Sequence, residues 1–227
     1  MNQVVKKPRL LRSGIVTASA TFLSRILGMV RDIAVATHIA VYMIPDQLLG
    51  AGLMADVFFL ANRIPNFFRR LFAEGAFAQA FVPVLTKTSK EQSSSELREL
   101  IAKSAGTLGL IVFVISLIGM LASPVVTAIF GWGWFESWLN DGPDAHKFTQ
   151  ASFLLEITFP YLFFITLTAL CSSVLNVHGS FAIPAITPCL LNVVMIGTAY
   201  FIAPNFEDPN VILSIGMVVG GVVQLVF

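Results

Sequence analysis

The stretch from Asp56 to Pro83, DVFFLANRIPNFFRRLFAEGAFAQAFVP, carries Asp56, Arg63, Arg69, Arg70 and Glu74 among apolar residues. It is apolar enough to enter a bilayer. Ionisable side chains are costly in hydrocarbon, so they face a bundle interior or a wet cavity. The apolar run before it adds Arg25, Arg31 and Asp32. Five arginines against three carboxylates leave a surplus of two positive charges. Arginine suits phosphate because its planar fork donates in pairs and stays charged. Asp56, Arg63 and Arg70 recur every seven residues, close to one helical stripe. Arg63, Asn66 and Arg70 share a face, and Arg70 and Glu74 are spaced i,i+4. Arg25 and Asp32 lie nearly on one face, with Arg31 at a different angle. The chemistry predicted is capture of an anionic ligand in a polar cavity, with the carboxylates neutralising part of the charge. The plainer alternative is snorkelling of charges near helix ends, or a structural cluster of Arg69, Arg70 and Glu74. Eight charges on two helices, against none of Asp, Glu, Lys or Arg across residues 157–206, favour the cavity.

These residues must be positioned by membrane helices. Hydrophobic residues make up 56% of the 227 and charged residues 12%, and mean hydropathy is +0.81. A soluble domain runs nearer ~25% charged. The class is an all-α polytopic membrane protein. The net charge of +1 provides no basic field for nucleic acid. Cys171 and Cys189 sit in apolar runs and read as small apolar residues. His38, His146 and His178 lack ligand spacing. No P-loop, G-x-S-x-G, H-E-x-x-H or acidic metal cluster is present, so no catalytic, cofactor or metal site is expected.

Residues 1–12 read as a basic cytoplasmic tail. Membrane helices are expected at about 13–41, 52–85, 104–130, 150–176, 184–203 and 211–227, since a span needs ~20 mostly apolar residues. Pro65 should kink the second near Ala61–Asn62. Trp132, Trp134 and Trp138 mark an interfacial loop. Asn176, His178, Gly179 and Ser180 divide the uncharged run into two helices. Gly216 and Gly220 form a GxxxG packing motif. The sixth segment has 17 residues and no polar flank, which reads as a chain cut within a membrane segment. Orientation follows the Lys/Arg bias. With the N-terminus inside, Lys6, Lys7, Arg9, Arg12, Lys87, Lys90, Arg98 and Lys103 lie inside and only Lys147 outside.

Ser24-Arg25-Ile26-Leu27-Gly28 followed by Arg31-Asp32 resembles the opening motif of the MurJ (MviN) lipid II flippases. The second element resembles that family's signature at greater length: Asp56, Phe58-Phe59, Pro65-Asn66, Arg69-Arg70, Phe72 to Phe77, and Gln79 to Pro83. Thr158 to Tyr161, Pro184-Ala185, Leu190 to Asn192 and Met195-Ile196 also fit. The resemblance implies the N-terminal six-helix lobe of a MOP-superfamily, MATE-like transporter, with the C-terminal lobe absent. It implies transport of lipid II, an undecaprenyl-pyrophosphate-linked disaccharide pentapeptide, from inner to outer leaflet of the bacterial cytoplasmic membrane by alternating access. Membrane lipids are the other partner. By the same match Arg25, Arg31 and Arg69 are cavity arginines. Asp56, Arg70 and Glu74 match charged functional positions, and Asn66 a polar cavity residue. Arg63 stands where Lys is common. Glu156 stands where a basic residue is expected, and residues 40–49 are additional to the family pattern. A coupling ion or the membrane potential is implied, its identity open. The rival readings are a drug or metabolite antiporter of the same superfamily, a membrane enzyme acting on polyprenyl pyrophosphates, and a non-transporting scaffold.

Overall fold

The computed structural model describes residues 7–41, 48–71, 77–91 and 93–227. Among the described residues ten α-helices follow one another: α1 Lys7–Val41, α2 Leu48–Arg69, α3 Phe77–Glu91, α4 Ser94–Leu121, α5 Ser123–Phe130, α6 Trp132–Leu139, α7 Ala145–Thr158, α8 Pro160–Val177, α9 Ala182–Gly197 and α10 Pro209–Val226. Among the described residues there is no strand. The fold is all-α, as composition and apolar periodicity dictate.

Several boundaries differ from the expected ones, each for a local reason. The first helix already begins at Lys7, inside the segment read as a tail. Within the second expected span, 52–85, α2 runs to Arg69 and α3 starts at Phe77, and residues 72–76 lie outside the described residues. The third begins at Ser94 rather than 104, because Ser93 and Glu96 form a capping box. The Glu96 amide donates to Ser93 Oγ at 3.4 Å, and the Ser93 amide donates to Glu96 Oε2 at 2.9 Å. Two of the first free amides are thereby satisfied. The polar run therefore extends the helix beyond the bilayer rather than interrupting it. At 28 residues, α4 is about 42 Å long, more than the ~30 Å of a hydrocarbon core. Pro160 occupies the first turn of α8, where its missing N–H costs nothing. So α7 and α8 together make one stretch, Ala145–Val177, capable of crossing a membrane. Gly179, with φ +80°, ends α8 in the left-handed region. The Ser180 amide then reaches back to the Leu175 carbonyl at 2.9 Å.

Among the described residues four stretches are long and apolar enough to cross a membrane: Ser94–Leu121, Ala145–Val177, Ala182–Asn205 and Pro209–Val226. The chain is a multi-pass membrane protein. α1 has 35 residues, also long enough to cross. Charge is concentrated in it and in α2, with Arg25, Arg31 and Asp32 in one and Asp56, Arg63 and Arg69 in the other. Phe22, Met29, Leu110, Ile118 and Val219 are among many exposed large apolar side chains, the surface expected of helices in lipid.

α8 lies at the centre. Tyr161 and Ile165 enter one buried cluster with Ala34 and Val35 of α1, Phe58 of α2, Met195 of α9 and Met217 of α10. Leu162 and Leu170 enter another with Phe81, Leu85, Leu108 and Val112 of α3 and α4. A third joins Val57, Ala61 and Ile64 of α2 to Leu154 and Leu155 of α7. Small residues allow the close approaches. A Cβ on Gly216 would lie 2.8 Å from the Thr198 side chain, and one on Gly220 would meet Leu191. The GxxxG pair thus seats α10 against the α9 segment.

Pro65 sits inside α2 and has no N–H to give the Ala61 carbonyl. Thr158 Oγ1 of α7 lies 3.2 Å from that carbonyl and 3.2 Å from the Leu155 carbonyl of its own helix, and its one proton is shared between the two. Thr158 is fully buried. A helix defect in α2 is therefore met by a designed partner on a neighbouring helix, and it locks α2 to α7.

The tryptophans read as an interfacial loop form a short helix, α6. Phe135 and Trp138 stack at 6.2 Å, and both ring systems reach Phe148 of α7. Lys147, expected on the outer side of the membrane, is 6% exposed. Its Nζ lies 2.9 Å from Asp144 and 5.7 Å from the centre of the Trp134 ring.

Candidate functional site

An open cavity of about 790 Å³ lies between α1, α2, α8, α9 and α10. α1 contributes a stripe at Ser24, Gly28, Arg31 and Val35, the i, i+4, i+7, i+11 spacing of one helix face. α2 contributes Asn62, Arg63 and Asn66, and Arg70 follows just beyond its end. Tyr161, Ile165, Met195 and Met217 supply apolar walls. Three arginines, Arg31, Arg63 and Arg70, thus converge with one carboxylate, Asp32, for a formal surplus of two positive charges.

Arg31 makes three side-chain hydrogen bonds. Its Nε and Nη2 donate to Asp32 Oδ1 at 3.0 and 2.8 Å, and its Nη1 donates to Asn192 Oδ1 of α9 at 3.0 Å. Asn192 in turn donates through Nδ2 to the Ser24 carbonyl at 3.1 Å. One amide therefore ties two points of α1 to α9, with Gly28 lying between them close to Asn192. Asp32 remains more than half exposed, so a carboxylate stands at the cavity edge beside the guanidinium. Asn66 Nδ2 donates to the Asn62 carbonyl, which holds it against its own helix.

The expected site residues divide into three groups. Arg31, Arg63, Asn66 and Arg70 line the cavity. Arg25 and Asp56 are exposed on α1 and α2 and are not among its lining residues. The face shared by Arg25 and Asp32 therefore marks the stripe's flank, and Arg31 its centre. Arg69 closes α2, its side chain outside the described ones, and Glu74 lies outside the described residues, as do 42–47 of the additional segment. Glu156 is exposed on α7, away from the cavity. Asn62, Asn192 and Gln224 line the cavity but escape a search for charges. Their signal is a lone amide in an apolar helix, where polar side chains serve as interhelical glue.

Among the described residues no group of His, Cys, Asp and Glu is arranged to hold a metal ion. Cys171 and Cys189 are free thiols. Cationic donors, amides and apolar walls around an open volume suit binding of an anionic amphiphile.

A sequence model of the family described as "Lipid II flippase MurJ" matches residues 46–227. The chain belongs to the MurJ family. A "Probable lipid II flippase MurJ" of Vibrio cholerae is 54% identical over 227 residues, all of this chain and 41% of that protein. One of Haemophilus influenzae is 52% identical over 91% of this chain and 39% of its own length. A solved structure of "Lipid II flippase MurJ, inward closed conformation" aligns with a TM-score of 0.67 at 27% identity. That alignment covers 93% of this chain and 40% of the solved one. The chain thus spans about two fifths of the MurJ proteins it matches. These relatives bear the names of flippases, which are transporters rather than enzymes.

Proposed function

We propose that the chain forms the N-terminal lobe of a lipid II flippase, and that its arginine-lined cavity receives the pyrophosphate of the lipid-linked precursor. The observation that carries this reading is the convergence of Arg31, Arg63 and Arg70 on one open cavity. Membership in the MurJ family supports the substrate class. In this reading the N-terminus and the Lys/Arg-rich segments face the cytoplasm and the protein resides in the bacterial inner membrane. The polar head enters the wet cavity while the polyprenyl tail stays in the bilayer. A second, C-terminal lobe closes the path, and rocking of the two lobes alternates access. Arg25, Asp56, Arg69 and Glu74 also serve the substrate's path in this scheme. The membrane potential contributes ~2.3 kcal/mol per charge per 100 mV. No covalent chemistry is required.

The test is lipid II exposure at the outer leaflet of bacteria depleted of their own flippase. They would be supplied with the full-length protein or its Arg31→Ala variant. Wild-type protein restores exposure and the variant does not. Failure of the expressed wild type would refute the function. Full restoration by Arg31→Ala would refute the assignment of the cavity.

A further inference from the structure

Arg31 meets the cavity already bound on two sides. A guanidinium has five N–H donors. Nε and Nη2 each give one to Asp32, and Nη1 gives one to Asn192. Two are left, one on each terminal nitrogen, for the oxygens of a ligand.

The two partners are not equivalent. Asp32 is the next residue of α1, so it travels with Arg31, and its side chain is more than half exposed. An exposed ion pair holds a side chain weakly. Asn192 stands on a different helix, α9, and is 5% exposed. Its amide is fixed at the other end by the Ser24 carbonyl of α1. The sense of the amide is fixed too. Turned over, it would set its NH2 against the guanidinium and its oxygen against the carbonyl. Leucine there would lose both bonds. Aspartate would lose the donor and offset the charge of Arg31. One turn earlier on α9, the Cys189 thiol lies 3.9 Å from the Ala20 carbonyl, so the same seam continues along α1.

We infer that Asn192 is a positioning residue for the anion site. It acts through Arg31, by fixing which N–H groups remain for a phosphate-type anion and where they stand before the anion arrives. This rests on the proposed anion cavity and adds the residue that orders its cation. Without Asn192 the ligand must order the arginine itself, and that cost is subtracted from its binding.

Binding of inorganic pyrophosphate to the full-length protein in nanodiscs, measured by calorimetry, tests this. Asn192→Leu weakens binding by about three- to tenfold, the cost of ordering one long side chain. In an Arg31→Ala background, where Arg63 and Arg70 supply the residual affinity, the same change has no further effect. A merely structural role predicts the opposite, since a distorted cavity weakens the other arginines as well. Equal weakening in both backgrounds therefore overturns the inference, and so does wild-type affinity in Asn192→Leu alone. Asp32→Asn, at an exposed position, provides a second test that does not depend on Asn192→Leu folding. It leaves Arg31 anchored and removes a competing carboxylate, so pyrophosphate binds as tightly as to the wild type or more tightly. Weaker binding by Asp32→Asn makes Asp32 the anchor and overturns the role of Asn192. Wild-type protein that does not bind pyrophosphate refutes the anion cavity itself, whereas wild-type binding with either failure above refutes the positioning alone.

Discussion

Replacing Asn192 by leucine removes the polar link between α1 and α9 while preserving volume. Two bonds are lost. The one from Arg31 Nη1, at 3.0 Å, is charge-assisted and worth about 1.5–3 kcal/mol; the one to the Ser24 carbonyl, at 3.1 Å, is neutral and worth about 0.5–1.5 kcal/mol. Their sum predicts a loss of about 2–4.5 kcal/mol in stability. Asp32 does not compensate. It already binds Arg31, and its exposure keeps that ion pair weak. The assay is a double-mutant cycle of Asn192→Leu with Arg31→Met, read by detergent-driven unfolding in mixed micelles. The coupling energy should reach about 1.5–3 kcal/mol, because each change removes the same bond. A control cycle with Arg25→Met should be additive, since Arg25 does not line this cavity. If the Asn192–Arg31 cycle is also additive within about 0.5 kcal/mol, Arg31 is not held by Asn192 and the derived cavity geometry is wrong.

Two further outcomes follow from the packing of α7. Thr158→Val orphans the buried Ala61 carbonyl and should cost about 1–3 kcal/mol. In a Pro65→Ala background the restored backbone N–H serves that carbonyl, so the same change should cost clearly less. Equal costs in both backgrounds, measured by the same unfolding assay, would show that the threonine does not serve the proline's missing donor. Asp144→Asn strands the buried Lys147 ammonium without its counter-charge and, because Asp144 is itself partly exposed, should destabilise by about 1.5–3 kcal/mol. The double variant Asp144→Asn with Lys147→Met should recover most of that loss, and thermal unfolding of the two proteins decides it.

How much of this was legible in the sequence depended on whether the deciding partner was local. Gly179 ends α8 by its own backbone, and Pro65 announces a missing donor, so both were readable in place. The capping box of α4 was equally local, and it placed the helix start ten residues earlier than an apolar-run reading does. The site depended on distant partners. Asp56, Arg63 and Arg70 look equivalent at a spacing of seven, yet only the latter two reach the cavity, which faces the C-terminal half of α2.

The choice among the charges of α1 shows why a partner helix is needed. Arg25 and Arg31 are six residues apart, hence about 120° apart around the helix. Nothing within α1 says which direction is the wet one. α9 decides, because Asn192, more than 160 residues away, accepts from Arg31 and donates to the backbone at Ser24. Those two bonds define the inward stripe Ser24, Gly28, Arg31 and Val35, and they leave Arg25 about 100° from Ser24 at its flank. A lone amide in an uncharged helix thus specifies the rotation of the charged helix opposite it. The isolated polar residues of the apolar helices are therefore the ones to examine when a constellation of charges has two possible faces.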